Sequence, residues 1–235
     1  MDADLRRHML DYYNERAPEY EEVYTLGTGS ASIRDPEIFK SEATRLAEIV
    51  QAFGSDWLID VACGTGYWLP FYAGRCSHIT LFDQSERMLA ECRKKIVRFG
   101  LVERSVLIQG DLFDYDFASD THDCVLVGFL LSHLTEAQEP RLFAALRTML
   151  GTAGRFLVLD SAWSRERARL NKKVGRQERS LNDGRRFEIY KRYCDRADVI
   201  RWASRYDATL RIEHFGRAFF AVSGQFNVVG SGGLT

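Results

Sequence analysis

Seven short apolar runs, separated by amphipathic stretches, organise the 235-residue chain. They are Trp57-Leu58-Ile59-Asp60-Val61-Ala62, Ile79-Thr80-Leu81-Phe82-Asp83, Val106-Leu107-Ile108, Asp123-Cys124-Val125-Leu126-Val127, Arg155-Phe156-Leu157-Val158-Leu159, Thr209-Leu210-Arg211-Ile212 and Ala218-Phe219-Phe220-Ala221-Val222. Mostly apolar at consecutive positions, they read as strands, most of them buried on both faces. Helical spacing fills the gaps. Residues near 5–24 form a helix with an acidic face. A second helix starts at Pro36, after Asp35, and runs to about Phe53 with Ile38, Phe39, Leu46, Ile49 and Val50 on one side. Others cover about 67–72, about 86–97 behind the cap Ser85, about 136–150 ending at Gly151, and about 197–206. Strand and helix alternate over short connections, which predicts an α/β fold with a parallel sheet covered on both faces. The chain reads as one domain, 1–235.

The segment 161–196 breaks the alternation. Arg165, Arg167, Arg169, Lys172, Lys173, Arg176, Arg179, Arg185, Arg186, Lys191, Arg192 and Arg196 face only Glu166, Glu178, Asp183, Glu188 and Asp195. This basic insert stands where a substrate cap would sit. Arg185, Arg186, Lys191 or Arg192 could bind a carboxylate or phosphate; a solvated basic face or a dimer contact are the alternatives, which leaves a homodimer open. Net charge is −1, so the molecule as a whole does not call for nucleic acid. The longest apolar run, 125–131, is far short of the roughly 20 residues that span a bilayer. An acidic start and five cysteines, an odd number without a Cys-x-x-Cys pair, predict a cytoplasmic protein with reduced thiols.

Ligands of open parallel sheets bind beyond the carboxyl ends of the strands, and four candidate groups stand there. Asp60-Val61-Ala62-Cys63-Gly64-Thr65-Gly66 closes the first strand with a glycine turn and a helix N-terminus. A dinucleotide fingerprint would need glycine at 69, which is Leu69. Asp83 ends the second strand and can accept from ribose hydroxyls; otherwise it caps the next helix, as Ser85 also can. Gly110-Asp111-Leu112 follows the third strand, where a carboxylate can accept from an adenine amino group or serve as a plain turn residue. Gly128 ends the fourth and lets the chain pass close to a ligand.

Together these residues resemble the class I S-adenosylmethionine-dependent methyltransferases, with the Asp60–Gly66 motif, Asp83, Gly110-Asp111-Leu112, Gly128 and the Met149–Phe156 turn in matching order over roughly 10–160. The resemblance implies a Rossmann-like, seven-stranded mixed sheet with helices on both faces and an antiparallel last strand. It implies S-adenosylmethionine as cofactor: Asp60 and Gly64 near its amino-acid part, Asp83 at the ribose, Asp111 and Leu112 at the adenine, Gly128 beside the methionyl chain, and Ala62, Gln84 and Met88 among the other cofactor-binding residues. The region 1–35 is similar to the lid helix of small-molecule members, which would set Tyr13, Arg16 and Tyr20 over the carboxylate and sulfonium; an ordinary amphipathic helix is the other reading. An Asn/Asp-Pro-Pro-Tyr motif after the fourth strand, usual for planar amide or exocyclic amino nitrogens, is missing.

Methyl transfer is an in-line displacement for which the cofactor carries the electrophile and the protein the orientation. His133, after the fourth strand, is the candidate general base, or else a surface or helix-capping histidine. No His/Asp/Glu spacing suggests a metal, so metal-independent catalysis is expected. The expected activity is methyl transfer to oxygen or nitrogen of a small molecule, an acidic one if the basic insert binds it, with no membrane partner. An RNA or protein methyltransferase using the insert, a nicotinamide-dependent dehydrogenase, and a non-catalytic nucleotide-binding domain are the competing readings.

Overall fold

The computed structural model describes residues 3–25, 35–119 and 121–227; positions 26–34 of the expected lid region lie outside them. In chain order the elements are α1 (Ala3–Arg16), α2 (Glu22–Thr25), α3 (Pro36–Phe53), β1 (Trp57–Val61), α4 (Leu69–Tyr72), β2 (His78–Asp83), α5 (Glu86–Arg98), β3 (Ser105–Gln109), β4 (His122–Gly128), α6 (Glu139–Met149), β5 (Leu150–Ser161), α7 (Arg165–Ala168), β6 (Val174–Ser180), β7 (Arg186–Arg192), α8 (Arg196–Arg205), β8 (Ala208–Phe215) and β9 (Phe219–Phe226).

Seven strands form one sheet in the order β3-β2-β1-β4-β5-β9-β8. β1 to β5 are parallel, and β9 runs antiparallel to β5 and β8. The two-residue period of the strands sorts the core. Leu58, Leu81, Leu126 and Leu157 pack with Leu46 and Val50 of α3 and with Leu69 and Tyr72 of α4. Ile59, Val61, Val125, Val127 and Val158 pack on the other face with Leu142 and Leu146 of α6 and Trp202 of α8. Strand order reverses between β1 and β4, so their carboxyl ends open the crevice where ligands of such sheets bind.

Three elements differ from the sequence expectation. The helix expected near 5–24 breaks after Arg16 into a 3-10 turn, Ala17–Glu19, because Pro18 supplies no N–H. The fifth strand is longer than its apolar run and begins at Leu150. The basic insert contains an antiparallel hairpin, β6–β7, outside the main sheet. That hairpin packs on α1 through Leu5, Met9, Tyr12, Leu181 and Ile189.

The turn between β8 and β9 is moulded on one buried side chain. Glu42 of α3 accepts from the backbone N–H groups of Arg217, Ala218 and Phe219 at 2.8, 2.9 and 2.9 Å. A Cβ at Gly216 would lie 2.2 Å from its carboxylate. Those bonds and His214 hold its carboxyl below the usual value although burial opposes them. Glu42→Ala orphans three donors, each worth about 1–3 kcal/mol when buried. Denaturant unfolding of that variant is expected to show a loss of about 2–4 kcal/mol; a loss under about 0.5 kcal/mol would mean that water replaces the carboxylate.

Candidate active site

The loop after β1 is shaped by left-handed backbone: φ is +57° at Ala62, +55° at Gly64 and +71° at Gly66. Ala62 is strained there, as is Phe129 at +59° after β4, and such strain gathers at functional sites. Glycine is required at 66, where a Cβ would stand 2.7 Å from Cys92 Sγ of α5. At Gly128 a Cβ would stand 2.9 Å from the Trp68 indole nitrogen.

Asp83 ends β2 and is buried. Its Oδ2 accepts from Gly64 N at 2.9 Å and its Oδ1 from Ser85 N at 2.8 Å, so the carboxylate ties the glycine loop to the start of α5. Burial raises its carboxyl despite those bonds. Helix capping falls to Ser85, whose Oγ accepts from Met88 N at 3.1 Å and donates to Asn14 of α1 at 2.6 Å. Asp111 Oδ1 accepts from Phe113 N at 2.8 Å. Ala62, Gly64, Asp83, Gln84 and Met88 line one cavity, and Asp111, Leu112 and Gly128 continue its wall. From α1 and the following turn, Tyr13, Arg16 and Tyr20 close the same cavity. The Arg16 guanidinium lies 5.4 Å from the ring centres of both Tyr12 and Tyr20 and bonds the Tyr12 hydroxyl.

Asp60 is the exception. It is fully buried beneath the loop and does not line the cavity. Tyr72 donates to its Oδ2 at 3.0 Å, while Oδ1 has no partner among the described residues. Burial raises its carboxyl to about 7. An orphaned carboxylate oxygen below a glycine loop fits a cationic group bound above it.

At the far end of the cavity stands His133, buried on the 3-10 turn Leu131–His133. Its Nδ1 lies 2.9 Å from the Tyr190 carbonyl, which can only accept, so Nδ1 carries the proton. Nε2 is then the acceptor, 2.7 Å from the Tyr13 hydroxyl and 3.3 Å from Lys191 Nζ. Burial, then the Lys191 charge, press the imidazole well below its ordinary value, so it is neutral at pH 7.

Lys191 is buried, donates to Ser132 Oγ at 2.5 Å, and is lowered by burial. Arg167 is buried too; it donates to the carbonyls of Ala162 and Ala218 at 2.7 and 2.8 Å and lies 4.4 Å from the Tyr193 ring centre. Half-buried Arg179 reaches in from β6. Among the described residues none of these three cations makes an ion pair. The carboxylate closest to them in charge effect, Asp160, accepts from Ser132 N and Ser161 N at 2.8 and 2.6 Å.

Of the anion candidates drawn from the insert, Lys191 lines the cavity, and Arg185 and Arg186 do not. Side chains of the hairpin alternate in facing. Phe187, Ile189 and Lys191 turn inward, whereas Arg186 stands outside and pairs with Glu178 at 3.3 Å. Arg185, in the turn, pairs with Asp183 and with Glu15 of α1 at 2.7 and 2.8 Å. Arg192 pairs with buried Glu139 at 2.5 Å. Sequence reasoning did not single out Arg167 and Arg179, which do line the cavity.

Residues 58–154 match the model of a methyltransferase domain family. The chain is 29% identical over 168 residues to phosphatidylethanolamine N-methyltransferase of Cereibacter sphaeroides, covering 70% of this chain and 80% of that protein. It is 31% identical over 105 residues to the ubiquinone/menaquinone biosynthesis C-methyltransferase UbiE of Paracoccus denitrificans, of whose length it spans 41%. Among solved structures, the DhpI-SAH complex superimposes with a TM-score of 0.74 at 23% identity, covering 97% of this chain and 99% of that one. The glycopeptide N-methyltransferase MtfA with S-adenosylmethionine gives 0.55 at 19% identity, covering 77% and 93%. The fold is Rossmann-like, and the cavity lies at the carboxyl ends of its parallel strands. In its 58–154 domain and in its fold the chain resembles the class I methyltransferases; it is an S-adenosylmethionine-dependent methyltransferase, and its cofactor is S-adenosylmethionine. Among the described residues no helix is long and apolar enough to cross a membrane.

Proposed function

We propose that this enzyme methylates an oxygen of a small acceptor that carries an anionic group. The observation that carries the reading is the convergence of Arg167, Arg179 and Lys191 on one end of the cavity without a paired carboxylate. Three cations in a low-dielectric wall, with only Asp160 acting on them and that carboxylate already bound by the Ser132 and Ser161 N–H groups, are costly unless a further anion completes them. The same field disfavours an amine acceptor, which arrives as an ammonium and must be held against three like charges. An ionised oxygen is favoured, and it is drawn further toward a sulfonium.

The cofactor, when bound, supplies the electrophilic methyl group. Ala62, Gly64, Gln84, Met88 and Gly128 shape its cradle, with Asp83 for the ribose, Asp111 and Leu112 for the adenine, and Asp60 beneath the amino-acid part. Tyr13, Arg16 and Tyr20 close over it from α1. Holding both reactants in line contributes most of what the protein can add, roughly 7–11 kcal/mol. When the acceptor oxygen arrives as a hydroxyl, the neutral Nε2 of His133 accepts its proton, directly or through Tyr13, as the methyl is transferred rather than before it, because burial and Lys191 keep its basicity low. The outward cations of the hairpin, Arg176 and Arg186, are paired with Glu188 and Glu178, which leaves no basic stripe there for a polyanion.

The test is transfer of labelled methyl from S-adenosylmethionine to a panel of small phosphonates, phosphate monoesters and carboxylates, with neutral alcohols, amines and phosphatidylethanolamine beside them. Turnover restricted to anionic acceptors is expected. Turnover of amines or phosphatidylethanolamine alone would overturn the reading.

A further inference from the structure

On β6 the side chains of Gln177 and Arg179 share the inward face, while Glu178 between them points outward to Arg186. Gln177 Oε1 accepts from Arg179 Nη2 at 2.8 Å and from the Tyr193 hydroxyl at 3.1 Å. Arginine has only donors, so this amide can be oriented in one way: Oε1 toward the guanidinium, Nε2 away from it. The Tyr193 ring in turn lies 4.4 Å from the Arg167 guanidinium and 5.9 Å from Lys191 Nζ. One side-chain oxygen therefore braces the arginine and the aromatic ring against which the other two cations rest.

The natural partner of a half-buried arginine is a carboxylate. A glutamate at 177 would have the same shape, would bond Arg179 more strongly, and would cancel one of the three charges. The chain instead has a neutral acceptor inward and a glutamate outward. Gln177 Nε2 is moreover buried with no partner among the described residues, so the amide is kept at this position although one of its donors goes unused.

We propose that Gln177 is a specificity-determining positioning residue: it orients Arg179 and Tyr193 without neutralising the arginine, and thereby sets the cavity's selectivity for anionic acceptors. The proposal rests on the acceptor reading above. Gln177→Glu would convert the same frame into one that holds a less charged group.

The test is calorimetric titration of inorganic phosphate, and separately acetate, into the protein saturated with S-adenosylhomocysteine. Wild type, Gln177→Glu, Arg179→Met and the double variant are compared. Expected is a weakening of phosphate binding by about tenfold or more in Gln177→Glu, as for loss of one hydrogen bond to a charged group. Affinity for S-adenosylhomocysteine stays within twofold and the melting temperature does not fall. In the Arg179→Met background the Gln177→Glu change costs less than threefold, because the residue acts through that arginine. Phosphate affinity within twofold of wild type in Gln177→Glu, or an undiminished cost in the Arg179→Met background, overturns the proposal while leaving the acceptor reading in place. Wild-type protein that binds neither anion overturns the acceptor reading and this inference with it.

Discussion

Replacing Lys191 by methionine is expected to lower kcat/KM for an anionic acceptor by about a thousandfold while making the free protein more stable. The two effects share one cause. The ammonium is buried against Ser132 and His133 and has no ion-pair partner among the described residues. Methionine fills a similar volume without the desolvation cost, and removing a buried charge of this kind is often stabilising by about 1–4 kcal/mol. Truncating one side of a buried, hydrogen-bonded charge pair costs about 2–5 kcal/mol of binding, which includes the thousandfold effect expected in turnover. The sign of the pH dependence follows from the lowered lysine. Its folded value lies below the free value of 10.5, so the penalty is absent above pH 10.5, grows as pH falls from 10.5 to the lowered value, and is constant below it. The stability advantage of the variant should therefore narrow as pH rises toward 10.5. Urea unfolding across that range together with steady-state kinetics measures both arms. Unchanged kcat/KM would remove Lys191 from the acceptor site, and a loss of stability would show that its charge is held by more than Ser132 and His133.

This opposition of stability and activity bears on how the site is built. Two covers meet over the cavity, α1 and the β6–β7 hairpin, and their contact is apolar inside and ionic at the rim. Glu15 joins Arg185 of the hairpin to Arg87 of α5 at 2.8 and 2.5 Å. Rim pairs of this exposed kind contribute little to stability, so the covers are held mainly by Leu5, Met9, Tyr12, Leu181 and Ile189. Inside them, a neutral histidine with a fixed tautomer stands among cations, and a neutral glutamine takes a place where a carboxylate would pair. The acceptor end keeps its positive charge because the residues nearest the cations accept hydrogen bonds without carrying charge.

What could be read from the sequence was local. The glycine loop, Asp83, Asp111 and Gly128 are legible because a strand end, a helix start and a glycine are neighbours in the chain. They converge because parallel strands bring their carboxyl ends together. The acceptor end depends on register. Arg179 faces Phe187 across the hairpin and Gln177 faces Ile189, pairings that no local pattern announces. Lys191 was separable from Arg186 by the alternation Phe187-x-Ile189-x-Lys191, a two-residue period that the charge count of the insert obscured. Arg167 enters through carbonyls of Ala162 and Ala218, residues far apart in sequence. The break at Ala17–Glu19 was legible in Pro18, and the helical period around it concealed the break. The burial of Asp60 below the cavity wall follows from tertiary packing against Tyr72 and was not legible at all.

Asp60 carries the other large effect, and its two consequences again have opposite signs. Its carboxyl is raised from 3.8 to about 7 by burial, and Tyr72 is its hydrogen-bond donor. The folded value lies above the unfolded one, so the fold favours the protonated acid. That contribution is fully present below pH 3.8 and is lost as pH rises through 7, an interval worth about 4 kcal/mol. Asparagine keeps an acceptor for Tyr72 and never charges. Asp60→Asn is therefore expected to raise the unfolding free energy of the free protein by about 2–4 kcal/mol at pH 8, and to match wild type near pH 4. Under the proposed assignment the ionised carboxylate faces the cationic amino-acid part of S-adenosylmethionine. Wild-type affinity for the cofactor should then rise between pH 6 and 8, and the variant should bind about tenfold or more weakly at pH 8 with a flat profile. Asp83 is also raised by burial and titrates in both proteins, so the difference between the two profiles isolates Asp60. A stabilised variant with wild-type affinity would assign Asp60 to the packing around Tyr72 and remove it from the cofactor site. A weakened cofactor without stabilisation at pH 8 would mean that the free protein already supplies Oδ1 with a partner, a bound water or cation, that holds the charge.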